Sequence, residues 1–107
     1  MSSETRVYPR KALRCPALIV LPGIAPIRAK TVDVSLGGLS LVLPGQLPAG
    51  QPCTLVFEPI INGKPRRITA AIRVIYSILS STDGFRTGVQ FVELDAENNK
   101  SLAELMI

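Results

Sequence analysis

The chain has 107 residues, 47% hydrophobic and 19% charged, with a net charge of +4 and a mean hydropathy of +0.32. That profile suits one globular domain large enough to bury a core without disulfide staples, and it excludes a disordered chain. There is no His, and Trp is absent, so the commonest general base and metal ligand is missing and the core must rest on Val, Ile, Leu and Ala.

Residues 1–14 are polar and basic without sustained periodicity, and they read as a flexible leader. Pro9 and Pro16 each disfavour helix through the residue before them. The apolar stretch Ala17–Leu21 is too short for an export signal and is closed by Pro22-Gly23. No apolar run approaches membrane-spanning length. Cys15 and Cys53 lack metal or redox spacing and read as small buried thiols in a reducing compartment. The expected location is the cytoplasm, with no membrane insertion.

A first strand is predicted over Pro16–Leu21, then a loop through Pro22-Gly23 and Pro26. The second, Ile27–Ser35, alternates: Arg28, Lys30, Val32 and Val34 share one face, and Ile27, Ala29, Thr31, Asp33 and Ser35 the other. Gly37-Gly38 leads into a third strand, Leu39–Leu43, and a fourth is expected over Cys53–Glu58. Asn62-Gly63 is the strongest hairpin signal in the chain. A long fifth strand is expected over Arg66–Leu79, with Val74 and Tyr76 on one face against Ile75 and Ser77 on the other. "STDG" turns into a sixth, Phe85–Glu93. Asp95 is placed to cap a helix over Ala96–Met106, although Asn98 stands where a capping box wants Glu or Gln. Six short strands and one late helix point to an all-β, closed or nearly closed barrel.

Catalysis is disfavoured. The carboxylates are scattered, no nucleophile elbow or phosphate-loop lysine is present, and an isolated Asp-x-Ser has nothing to activate it. Binding is better served. Alternation sets Asp33 and Ser35 on one strand face, roughly 7 Å apart. A carboxylate there can accept from the N–H groups of a guanine edge, and a hydroxyl can donate or accept beside it. Arg10 and Arg14, four residues apart in "RKALR", can fork onto phosphate or onto guanine O6 and N7. Each feature has a plainer reading when taken alone. The arginines form a solvated basic face, Asp33 and Ser35 cap a tight turn, Gly37-Gly38 is turn geometry, and Tyr76 is core.

Taken together, "RKALR" matches Arg-x-x-x-Arg, and "DVSLGG" matches Asp/Asn-x-Ser-x-x-Gly with Asp33, Ser35 and Gly38 at the fixed positions. In this order and separation the chain resembles the PilZ domain, the bacterial cyclic di-GMP receptor module, over about residues 6–106. The resemblance implies a six-stranded antiparallel β-barrel with a C-terminal α-helix over residues 15–107, preceded by a mobile arm, residues 1–14. It also implies the site. Arg10 and Arg14 would hold phosphate and guanine, Asp33 and Ser35 would read a guanine edge, and Gly38 would give clearance. Tyr76 would stack on a base and Arg6 would add a phosphate contact. Many members carry an arginine just before the first motif arginine. Here it is Pro9, which leaves open whether one or two ligand molecules bind.

The expected function is therefore a receptor that takes cyclic di-GMP, needs no further cofactor, reorders its arm and regulates an unidentified protein partner in motility, biofilm formation or polysaccharide secretion. Two alternatives stand beside it: a barrel binding single-stranded nucleic acid, disfavoured by aromatics at only 5%, and a PilZ-like interaction module without ligand.

Overall fold

The structure is a computed structural model that describes residues 8–80 and 84–107. In chain order its strands are β1 (Lys11–Ala12), β2 (Pro16–Val20), β3 (Ile27–Val34), β4 (Gly38–Leu43), β5 (Pro52–Phe57), β6 (Ile60–Ile61), β7 (Lys64–Pro65), β8 (Ile68–Ser80) and β9 (Gly84–Glu93). The helix α1 (Ala96–Leu105) follows. Six strands pair antiparallel in the order β3-β2-β5-β8-β9-β4, and β4 returns to β3, which closes the barrel. Closure leaves each of the six with a neighbour on both sides, so short strands expose little unpaired backbone.

The interior is mostly aliphatic, with Phe57 its one fully buried aromatic among the described residues. Leu39, Leu41 and Leu43 of β4 face Leu55 and Phe57 of β5, Ile68, Ile72 and Val74 of β8, and Ile19 of β2, all of them buried. Helix α1 adds Leu102 and Leu105 to this core. Its N-terminus is capped as expected: the Asp95 carboxylate accepts from the Asn98 backbone N–H at 2.8 Å. The missing Glu of the capping box is replaced by a different arrangement. The Asn98 side-chain amide donates to Asp95, and its oxygen accepts from the Thr69 N–H, which ties the first turn of the helix to β8.

The Asn62-Gly63 signal holds. Both residues have positive φ, 52° and 80°, between the paired β6 and β7, as a type I′ hairpin demands. The "STDG" turn, apart from Gly84, lies outside the described residues.

The strand registers slip in three places, one of them between Ala71 and Ile72 opposite the end of β9, and the other two shape the outer surface near Asp33. In β3 the register with β4 slips between Thr31 and Asp33, so Val32 is an extra, bulged residue. Thr31 and Val34 therefore both point inward, while Asp33 turns outward beside Lys30 and is only partly buried. The expected grouping of Asp33 with Ala29 and Thr31 is thus overturned by one inserted residue. In β8 the register with β9 slips between Val74 and Tyr76. Val74 and Ser77 face the core, and Tyr76 lies outside with Ile75 and Ile78.

Chain segment 8–14 also differs from the expected unstructured leader. Lys11 and Ala12 pair with Val34 and Asp33 at the end of β3. Closer to the barrel, Thr31 Oγ donates to the Leu13 carbonyl at 2.7 Å and accepts from the Cys15 N–H at 3.0 Å, while the Leu13 N–H donates to the Val32 carbonyl. A buried hydroxyl thus anchors the inner end of the arm.

Candidate functional site

The two bulges assemble one polar row on the outside of the barrel. Reading across the strands, Ala12 faces Asp33, Asp33 faces Ser40, Ser40 faces Gly88 and Gly88 faces Tyr76. Directly paired residues share a face of the sheet, so an acid, a hydroxyl, a glycine and an aromatic ring lie side by side. The absence of a side chain at Gly88 makes room for the Tyr76 ring: a Cβ there would come within 2.3 Å of it.

Asp33 is the centre of this ledge. Its Oδ1 accepts from Arg10 Nη1 at 2.7 Å and from the Ser40 hydroxyl at 2.6 Å. Its Oδ2 faces the Arg86 guanidinium, with Nη2 at 3.9 Å. The structure thus brings the first motif arginine onto the motif aspartate across 23 positions of sequence. Arg14 lies elsewhere, on an open concavity of about 1430 Å³ that it shares with Arg28, Lys30, Arg67 and Arg86, against Glu58 as the one acidic lining residue. Asp33, Arg10 and Tyr76 are not part of that concavity. It adjoins the ledge through Arg86, which belongs to both.

Ser35 and Gly38 have structural duties. The Ser35 hydroxyl is buried in the turn after β3, where it accepts from the Gly37 and Gly38 N–H groups at 3.1 and 3.2 Å. This is the turn-capping arrangement that Ser favours. The space expected for a ligand at Gly38 is filled by protein, since a Cβ there would lie 2.1 Å from the Val89 carbonyl oxygen of β9. Gly37 instead lies under the ring of Tyr8, so the start of the arm rests on the turn. Arg6 lies outside the described residues.

Three participants escaped the sequence reading. Ser40 and Arg86 reach Asp33 only through the β3–β4–β9 register, which no local pattern encodes. Lys11, between the two motif arginines, donates from Nζ to the Leu105 carbonyl at 2.8 Å. Helix α1 has no basic residue in its own last turn, so the arm supplies the cation that a helix C-terminus favours. Consecutive arm residues therefore touch the ledge and the helix end. Among the described residues no group of three His, Cys, Asp or Glu side chains is placed to hold a metal ion. No described helix is long and apolar enough to cross a membrane.

Fold and site together define a small closed antiparallel barrel whose basic N-terminal segment lies over an acid–hydroxyl ledge on its outer wall. The chain belongs to the PilZ domain family, whose model matches residues 4–107. A search of curated proteins finds no match. Among solved structures, the inhibitor of motility MotI/DgrA of Bacillus subtilis superposes with a TM-score of 0.80 at 20% identity over 96% of this chain. The chain spans 49% of that protein's length. The PilZ domain of YcgR from Escherichia coli, solved with c-di-GMP, gives 0.68 at 15% identity, covering 95% of this chain and 88% of the other. YcgR in complex with c-di-GMP gives 0.76 at 17% identity, covering 94% and 44%. At these identities the likeness is one of fold.

Proposed function

We propose that this chain is a cyclic di-GMP receptor module, a binding domain and not a catalyst, whose N-terminal arm changes partners when the ligand arrives. The observation that carries this reading is the contact between Arg10 of Arg-x-x-x-Arg and Asp33 of Asp-x-Ser-x-x-Gly at 2.7 Å, in a chain of the PilZ family. Two groups suited to opposite parts of a guanine dinucleotide already meet at one point. Phosphate competes for Arg10, and a guanine edge bearing N–H donors competes for Asp33.

The exchange favours the ligand on simple magnitudes. Arg10 and Asp33 have side chains 37% and 21% exposed, so their pair contributes roughly 0–1 kcal/mol after solvent screening. Each charge-assisted hydrogen bond to the ligand is worth about 1.5–3 kcal/mol. In this reading residues 1–14 act as the moving arm and residues 15–107 as the rigid barrel. Arg14 and Arg6 follow the arm onto the phosphates, Tyr76 offers its ring to a base, and Ser35 and Gly38 hold the turn that presents Asp33. Breaking the Arg10–Asp33 contact also pulls on Lys11 and the end of α1, which gives a protein partner in motility or polysaccharide secretion a surface to read.

Isothermal titration of the full chain with cyclic di-GMP tests the proposal. Saturable binding that is lost or strongly weakened in Asp33→Ala supports it, and absence of binding by the wild-type chain refutes it. Tight binding of long oligonucleotides with a steep salt dependence would instead favour the nucleic-acid reading.

A further inference from the structure

We propose that Arg86 is a specificity-determining residue of this site: with Asp33 it reads the pairing edge of a guanine, the arginine donating to O6 while the carboxylate accepts from N1–H and N2–H. The inference rests on the proposed binding of cyclic di-GMP and assigns a role to a residue outside both family motifs.

Three observations converge on Arg86. Its Nη2 lies 3.9 Å from Asp33 Oδ2, near enough for the charges to attract and too far for a hydrogen bond. The two short bonds to Asp33, from Arg10 and Ser40, both fall on Oδ1. Oδ2 and the guanidinium therefore stand side by side, and neither of the two short bonds to the carboxylate falls on Oδ2. Second, Arg86 Nε is buried and has no hydrogen-bond partner among the described residues. Third, the side chain is fixed to the barrel and not to the arm. On β9 it stands in register between Val42 of β4 and Ile78 of β8, while the next residue, Thr87, points inward and bonds to Ser77. Its side chain is 40% exposed.

The chemistry of the base selects this pair. Guanine presents, in sequence along one edge, an acceptor at O6, a donor at N1 and a donor at N2. A cation beside an anion is the complement of that order. Adenine presents a donor at the 6-position and an acceptor at N1, so it would set N–H against guanidinium and a lone pair against carboxylate. Discrimination by unmatched polar groups is strong because each mismatch leaves a desolvated group unpaired. An arm arginine moves with the arm, whereas a strand-borne arginine keeps a fixed register beside Asp33.

The test is titration of the full-length chain and its Arg86→Ala and Arg86→Lys variants with cyclic di-GMP, together with displacement of that ligand by excess cyclic di-AMP. Arg86→Ala is expected to weaken cyclic di-GMP binding about tenfold or more, the loss of one charge-assisted hydrogen bond. Lys, with its point charge and different reach, should restore only part of this. Melting temperatures should stay within a few degrees of wild type. The excess of cyclic di-AMP needed for displacement should fall in Arg86→Ala. If the wild-type chain binds and Arg86→Ala binds equally well, the role of Arg86 is refuted while the proposed function stands. If affinity falls but the displacing excess is unchanged, Arg86 is a general counter-charge and specificity is refuted. Failure of the wild-type chain to bind refutes the proposed function, and this inference with it.

Discussion

Removing the Arg10 guanidinium separates binding from stability with unusual clarity. In Arg10→Ala the chain loses one partly exposed ion pair, and Asp33 keeps Ser40 at 2.6 Å and Arg86 nearby. The folding cost is therefore about 1 kcal/mol at most, or a fall in Tm of a few degrees for a domain of this size. Binding loses more. A charge-assisted bond to the ligand is worth about 1.5–3 kcal/mol, of which up to about 1 kcal/mol is recovered because the variant has no ion pair to break first. The net loss is about 1.5 kcal/mol, roughly tenfold in Kd, rising toward a hundredfold if Arg10 forks onto two acceptors. Calorimetric titration with cyclic di-GMP, paired with a thermal melt, measures both. An affinity within twofold of wild type would refute the arm's role. A collapse in Tm would show instead that Arg10 is chiefly structural.

Gly38 at the start of β4 and Gly88 of the ledge should respond differently. Gly38→Ala drives a Cβ against the backbone carbonyl of Val89, which the β4–β9 ladder holds in place, so a loss of about 2–3 kcal/mol is expected in chemical denaturation. Gly88→Ala meets only the Tyr76 ring, which can swing into solvent, so stability should change little while affinity for cyclic di-GMP falls several-fold. Lys11→Met removes the donor to Leu105, and amide exchange at the end of α1 should accelerate a few-fold with the barrel unchanged. The Asn98 backbone N–H, together with its side-chain amide, holds the Asp95 carboxyl below its ordinary range. A depressed folded-state pKa means that the cap stabilises fully above the unfolded value of about 3.9 and is lost as pH falls through the folded one. Helical circular dichroism should accordingly be flat from neutral pH down to about 4 and decline below it, and in Asp95→Ala this acid step should be absent. An unchanged acid step would assign it to another carboxylate.

Much of the architecture was legible in the linear pattern. Period-two alternation marked the six barrel strands within a residue or two, Asn62-Gly63 marked its hairpin, and Asp95 marked the helix start. All are local signals, set by a few neighbouring residues. The motif residues were legible too, but not what each does in the fold. The turn contacts of the Ser35 hydroxyl, to the Gly37 and Gly38 N–H groups, were one of two readings open at the sequence level.

What the tertiary structure alone decided is which way the key side chains face and what stands beside them. Asp33 and Tyr76 are turned outward by single-residue bulges at Val32 and after Val74, and a bulge is a property of two paired strands, invisible in either one. Ser40, Gly88 and Arg86 join Asp33 through cross-strand register, and Lys11 reaches α1 across 94 positions. Such contacts depend on how the barrel closes, and closure is a balance over all six strands at once.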